Sequence, residues 1–390
     1  SGTMILVSDT TKAYQDLAAY YRQKMNPYVI GVTGSVGKTS LKDMLGDVFR
    51  MHFQTVATEK NFNNHIGLPK TIFDMDTDTE ILICEMGMDK KGEIALLVDI
   101  AKPDVGLISN IGISHRENFD DDDGIFRAKL EMTNHFDAGN LLVVNGDDAK
   151  LKSLTALPGR EYRILTAGTT EGCDYRILNA TMNPDATISF DIRHKEETVH
   201  FEVCMPGLYN SLYAGMTAAI AAEHGISLRA VADAVKHISR TAHRLQIVPC
   251  GMVTVIDDSY NASPDSMGSG LETLVSITGK RKIAILAGMN ELGEDSENLH
   301  REVGKNAVKI GVDVLIAVGE KGTAIAEGAR AENRNKEDKG SVKVIHLTDN
   351  AETILWIKEN ALEDDVYLLK GSNSMRMWDI VDEMKEVFES

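Results

Sequence analysis

Continuous apolar runs and helical stripes take turns along the first part of the chain. Residues 28–32, 81–86, 105–109 and 141–145 are apolar without alternation, as strands are when a parallel sheet is covered on both faces. After Gly37, the positions Leu41, Met44, Leu45, Val48 and Phe49 recur at i, i+3, i+4, i+7 and i+8, which predicts a helix with one face on that sheet. Between about 162 and 203 the pattern changes to alternation, with Ile188, Phe190 and Ile192, then Val199, Phe201 and Val203 on one face. This predicts an antiparallel hairpin inserted beside the parallel sheet. Alanine-rich helices are expected over 211–224 and 228–237, and the α/β rhythm restarts at 252–256, 283–287, 314–318, 344–347 and 366–369. The restart places a domain boundary near 239–245. The charged stretch 331–340 reads as an exposed loop, and the aspartates 120–123 as a solvated one.

Composition narrows the partners. Lys+Arg 41 against Asp+Glu 59 leaves a net charge of −18, which repels nucleic-acid backbones and anionic membranes. Neither is an expected partner, and a bound phosphate must be held locally. Cys84, Cys173, Cys204 and Cys250 form no CxxC pair, against both a disulfide framework and a thiolate zinc site. No apolar run approaches the roughly 20 residues that span a bilayer, so a cytoplasmic protein, read as a monomer, is expected.

The strongest chemical signal is Gly31-Val32-Thr33-Gly34-Ser35-Val36-Gly37-Lys38-Thr39-Ser40, a strand running through a glycine loop into the striped helix. Such a loop wraps an anion with backbone amides at a helix N-terminus. Lys38 would reach the β/γ phosphates, and Thr39 would hold Mg²⁺. Val32 stands where the general phosphate-loop pattern has glycine, so the match is to the variant T-G-S-x-G-K-T. Phosphoryl transfer also needs metal ligands and charge neutralisation. Glu85 ends the second buried-type strand, and His115 lies just past the third. Lys129 by default is an exposed helix lysine. The expected class is α/β: a P-loop parallel-sheet ATPase domain with an inserted antiparallel hairpin, followed by a Rossmann-like α/β C-terminal domain.

Together these segments resemble the Mur ligase family. The resemblance rests on residues 33–40, Asn61-Phe62-Asn63-Asn64-His65-Ile66-Gly67-Leu68-Pro69, Glu85-Met86-Gly87 with Gly92-Glu93-Ile94, Ser114-His115, and Ala128-Lys129-Leu130-Glu131. In the second block it rests on residues 256–267, Glu291-Leu292-Gly293, and Lys370-Gly371-Ser372 with Met375-Arg376-Met377. It implies an ATP-dependent, ADP-forming amide ligase of cell-wall precursor synthesis, adding D-alanyl-D-alanine to a UDP-linked muramoyl tripeptide through an acyl phosphate. Gly34, Ser35, Val36, Gly37, Lys38, Thr39 and Ser40 would hold ATP with Asn210, Arg244 and Asp258. Thr39, Glu85, His115 and a CO₂-carbamylated Lys129 would form the Mg²⁺ shell, with Lys38, Glu85, His115 and Lys129 as the catalytic set. Asn61, Asn63 and Asn64 would meet the peptide-bearing substrate, and Asn261 and Ser263 the dipeptide. Tyr209-Asn210-Ser211-Leu212-Tyr213 departs from the family's adenine-side H-N-x-x-N, and His243 replaces the glycine before Arg244. The implied division is 1–25 as the remnant or linker of an N-terminal UDP-binding domain, 26–240 as the ATP-binding domain, and 241–390 as the C-terminal domain. Two other readings share the loop: a relative that naturally lacks the UDP-binding domain and joins another carboxylate and amine, and a nucleotide-dependent switch or interaction protein.

Overall fold

The computed structural model describes residues 4–112, 118–119, 123–238, 242–335 and 341–389. Among these, no helix is long and apolar enough to cross a membrane. The first strands are β1 (Tyr28–Thr33), β2 (Thr55–Ala57), β3 (Ile81–Glu85), β4 (Val105–Ile108), β5 (Leu141–Asn145), β6 (Arg163–Gly168), β7 (Tyr175–Met182), β8 (Ile188–His194) and β9 (Glu197–Val203). They form one nine-stranded sheet in the order β2-β3-β1-β4-β5-β6-β7-β8-β9. β1 lies between β3 and β4, parallel to both. Pairing of Val32 with Glu85 and with Leu107 brings the carboxyl ends of all three strands to one edge. Open α/β sheets bind ligands at such an edge, where the strand order switches direction.

The striped helix runs from Lys38 to Arg50 and buries Leu41, Met44, Leu45, Val48 and Phe49 in the main core of this sheet. The alternating segment differs from the expectation in one respect. β6 pairs parallel to β5, and β7 joins β6 in parallel through Ala167–Tyr175 before the antiparallel β8 and β9 follow. The antiparallel strands therefore lie beside the parallel ones at the edge of the same sheet, as expected, and only β6 belongs to the parallel part instead.

The second block contributes β10 (Gln246–Cys250), β11 (Val253–Asp258), β12 (Arg281–Ala287), β13 (Val314–Val318), β14 (Lys343–Leu347) and β15 (Asp365–Lys370). Their order is β10-β11-β15-β12-β13-β14, all parallel except β10 against β11. The apolar pattern did not announce β10, which carries Pro249 and occupies an edge, the place where a sheet tolerates a missing N–H. The charged stretch also differs. Its first five residues close the helix Gly322–Asn335, because Ala, Glu and Arg are good helix formers; residues 336–340 lie outside the described residues. Of the aspartate run, Asp123 is described, and it pairs with Lys150 at 2.7 Å. The two sheets meet through the β7–β8 turn, where Ala186 enters the core of the second sheet and the Ser276 hydroxyl donates to Met182 Sδ at 2.7 Å.

Candidate functional site

The glycine loop leaves β1 with two positions that admit no side chain. Gly34 has φ +152°, and a Cβ there would stand 1.9 Å from Ser109 Oγ; at Gly37, with φ +82°, it would stand 1.6 Å from the Tyr213 hydroxyl. The loop is braced from the end of β4. Asn110 Oδ1 accepts from the amides of Ser35 and Val36 at 3.0 and 2.9 Å, and the Ser109 hydroxyl donates to Val36 O at 2.7 Å. The first amide paired inside the following helix is that of Leu41, to Gly37 O at 2.9 Å. The amides of Lys38, Thr39 and Ser40 thus open the helix with no intrahelical carbonyl to meet. Lys38 folds back so that its ammonium donates to Gly34 O at 2.8 Å. Burial lowers its pKa, and the Arg244 guanidinium lowers it further, while Glu85 and, more weakly, Asp89 oppose.

Glu85 ends β3 inside the protein, only 2% exposed. Its Oε1 accepts from Asn63 Nδ2 at 2.8 Å, and its buried Oε2 has no partner among the described residues. Lys129, in the helix Gly124–Leu130, is also 2% exposed, so the default of an exposed lysine does not hold. Its ammonium has no hydrogen-bond or ion-pair partner among the described residues. Burial, and then the charge of Lys38, holds its pKa well below that of a free lysine.

The second block closes over this edge. Arg244 stacks on the Tyr260 ring at 4.3 Å, and its Nη2 donates to Thr39 Oγ1 at 3.1 Å. At the end of β11, Asp258 Oδ2 accepts from the buried Lys370 at 2.5 Å; Lys370 also donates to Asn261 O at 3.0 Å. Between the blocks lies a cleft of about 580 Å³.

Most of the expected residues line that cleft: Ser35, Val36, Gly37, Lys38, Thr39, Ser40, Asn61, Asn63, Asn64 and Glu85 on one wall, with Arg244, Asp258, Asn261 and Ser263 on the other. Gly34 and Lys129 are not part of the lining. Ser263 is also the N-cap of the helix Pro264–Ser276, in a capping box with Ser266. Asn210 is buried outside the lining. Its Nδ2 donates to Pro206 O at 2.7 Å, its Oδ1 has no partner, and Tyr209 and Tyr213 face the cleft instead. His115 lies outside the described residues. Sequence reasoning missed Asn110, which braces the loop from a distant strand end, and the Tyr213 hydroxyl, which seals Gly37. A polar residue just past the β4 run was the available signal for the first.

Comparison with known proteins fits this arrangement. The Mur ligase middle domain matches residues 32–222, and the Mur ligase glutamate ligase domain matches residues 243–373. The chain is 36% identical over 385 residues to the UDP-N-acetylmuramoyl-tripeptide–D-alanyl-D-alanine ligase of Bacillus subtilis, spanning 98% of this chain and 81% of the relative. The chain belongs to the Mur ligase family. The Escherichia coli ligase of the same name is 28% identical, with 98% of this chain and 82% of the relative covered. Among solved Mur ligase structures, MurF from Acinetobacter baumannii superposes with a TM-score of 0.88 at 26% identity, covering 98% of this chain and 82% of that one. MurF from Thermotoga maritima in complex with ADP gives 0.87 at 24% identity, covering 100% and 86%, a likeness of fold.

Proposed function

We propose that this Mur ligase joins D-alanyl-D-alanine to UDP-N-acetylmuramoyl-tripeptide, forming ADP and phosphate, in peptidoglycan precursor synthesis. The protein is an enzyme, a carboxylate–amine ligase, and the reading places it in the cytoplasm. The observation that carries the mechanism is the meeting of both blocks at one point, with Arg244 of the second block bonded to Thr39 of the phosphate loop at 3.1 Å. The name of the Bacillus relative supports the substrates. The division into 1–25, 26–240 and 241–390 belongs to the same reading.

In this scheme the amides opening the helix at Lys38 and the Lys38 ammonium bind the phosphates of ATP, and Arg244, steadied by Tyr260, covers them from the other wall. The substrate carboxylate bonds to the γ-phosphorus as the bond to the ADP oxygen breaks. The dipeptide amine then attacks the acyl carbon, its proton is lost, and phosphate leaves. Since binding and charge compensation dominate phosphoryl transfer, the fixed cations carry much of the work. Asn61, Asn63 and Asn64 face the peptide-bearing substrate; Asn261 and Ser263 face the dipeptide. Asp258 is assigned to the nucleotide, whereas Asn210, expected there from the resemblance, is buried outside the cleft lining.

The donor set suits Mg²⁺. Glu85 Oε2 is a buried acceptor without a partner, the Thr39 hydroxyl stands at the loop, and no cluster of three or more His, Cys, Asp or Glu exists among the described residues. Mg²⁺ favours one or two protein oxygens completed by phosphates and water, so Thr39 and Glu85 would hold it, with His115 assigned to the same shell on resemblance alone. Bound there, Mg²⁺ supplies neutralisation of phosphate charge. Lys129 suits carbamylation, because a buried amine with a lowered pKa is nucleophilic toward CO₂. From the neutral amine, the N–C bond forms, one proton is released, and an uncharged group near Lys38 becomes an anion.

The test is product analysis. Incubated with ATP, Mg²⁺, UDP-N-acetylmuramoyl-tripeptide and D-alanyl-D-alanine, the protein should yield a product heavier by the dipeptide less one water. ATP turnover without that product, or a product with a different amine only, would overturn the substrate assignment.

A further inference from the structure

The helix Ser296–Ile310 carries His300, which is 1% exposed and outside the cleft lining. Its Nδ1 lies 2.6 Å from Ser296 O, and its Nε2 accepts from the Met289 amide at 2.8 Å. A carbonyl can only accept, so the proton sits on Nδ1 and Nε2 is the acceptor. Burial lowers the pKa of the ring, the Ser296 carbonyl opposes this, and Lys321 adds to it.

Met289 opens the loop that leaves β12. The loop is fixed at several other points: Lys321 donates to Met289 O at 2.8 Å and to Asn290 Oδ1 at 2.9 Å, Asn290 Nδ2 donates to Ser374 Oγ at 3.1 Å, and the Ser372 amide donates to Gly288 O at 2.9 Å. Glu291 follows with φ +62°, a left-handed conformation that persists in a non-glycine residue only where its surroundings hold it. Asn290, Glu291 and Leu292 line the second wall of the cleft, near Asn261 and Lys370. β15 lies between β11 and β12, so the loop sits with the carboxyl ends of these three strands, across from the amides that suit phosphate.

We propose that His300 is a positioning residue for the amine substrate: by accepting the Met289 N–H it sets the Asn290–Leu292 wall that receives the dipeptide. The assignment of the amine rests on the function proposed above. His300 touches no substrate, and it acts only through the loop.

The experiment uses the full chain carrying His300→Leu, His300→Gln or Lys321→Met, with ATP and D-alanyl-D-alanine varied separately. Loss of the acceptor in His300→Leu should raise KM for the dipeptide by about tenfold while KM for ATP stays within about twofold. Glutamine can present an oxygen acceptor, so His300→Gln should recover most of the loss. Lys321→Met removes a different anchor and should shift the same KM in the same direction, which decides the matter should the leucine variant not fold. Amide exchange at Met289 should accelerate in His300→Leu and not in His300→Gln, a readout independent of substrate. Equal rises in both KM values, a fall in kcat alone, or identical leucine and glutamine variants would overturn the proposal. Wild-type turnover indifferent to the dipeptide would overturn the substrate assignment, while unchanged Met289 exchange in His300→Leu would refute the bond itself.

Discussion

In the first block, Lys129 is buried outside the cleft lining with no partner among the described residues, and Glu85, in the wall itself, keeps one buried oxygen unbonded among them. The second block pairs its buried charge: Asp258, in the cleft wall, closes on Lys370 at 2.5 Å, Asp257 on His243 at 2.7 Å and, at the far end of the sheet, Asp365 on Arg281 at 2.5 Å. Unpaired buried charge is costly, so a fold that carries it in one block only has concentrated its open valences where a ligand completes them. The pairs at Asp257 and Asp258 are a frame on either side of Arg244, bonding its neighbours His243 and Leu245.

The largest effect that would break this contrast is at Lys129. Lys129→Ala should abolish measurable amide formation while leaving ATP binding measurable, and an added short carboxylate should restore part of the turnover; undiminished turnover in the variant would remove the carbamate from the account. The same site gives a signed pH effect. Because the folded pKa lies well below the free-lysine value of 10.5, the unfolded chain binds the proton that the folded chain sheds, and stability rises with pH across that interval. Lys129→Met should therefore melt above wild type at neutral pH in CO₂-free buffer, with the gain shrinking toward pH 10.5.

Opposite behaviour is expected from the paired wall. Lys370→Met strands the half-buried Asp258 carboxylate, a loss of about 2 kcal/mol, and should lower the melting temperature by about 5 °C. A variant that melts like wild type would mean that the second wall is not a frame. The smallest effect is at Ser263, whose capping of the helix Pro264–Ser276 is worth about 1 kcal/mol. Ser263→Ala should cost a few degrees of melting temperature and, if Ser263 also meets the dipeptide, raise its KM; an unmoved KM would leave it a cap only.

The legible parts of this site were those written in local sequence. The Leu41–Phe49 stripe follows the glycine loop directly, so the loop, Lys38 and Thr39 could be placed from spacing. Glu85 could be placed because a continuous apolar run fixes where a covered strand ends. Residues whose role depends on distant neighbours were hidden. Asn110 stands out only as a polar residue just past the β4 run, with no sign that its side-chain oxygen accepts from the Ser35 and Val36 N–H groups, and nothing near Tyr213 says that its hydroxyl will close on Gly37. His300 reads as one polar residue on an amphipathic helix until Met289, from the end of β12, is brought to it. β6 was misplaced for a related reason: alternation reports which faces are buried, and the direction of its partner is set by the connection, which leaves no period in the sequence.

The central claim, that the open valences of the first wall and the framed second wall serve one coupled ligation, is tested most directly by phosphate release with each substrate omitted in turn. The account predicts release only when the muramoyl tripeptide and D-alanyl-D-alanine are both present, in step with ADP and with the ligated product. Steady ATP hydrolysis in the absence of either would contradict it and point to a nucleotide-driven switch.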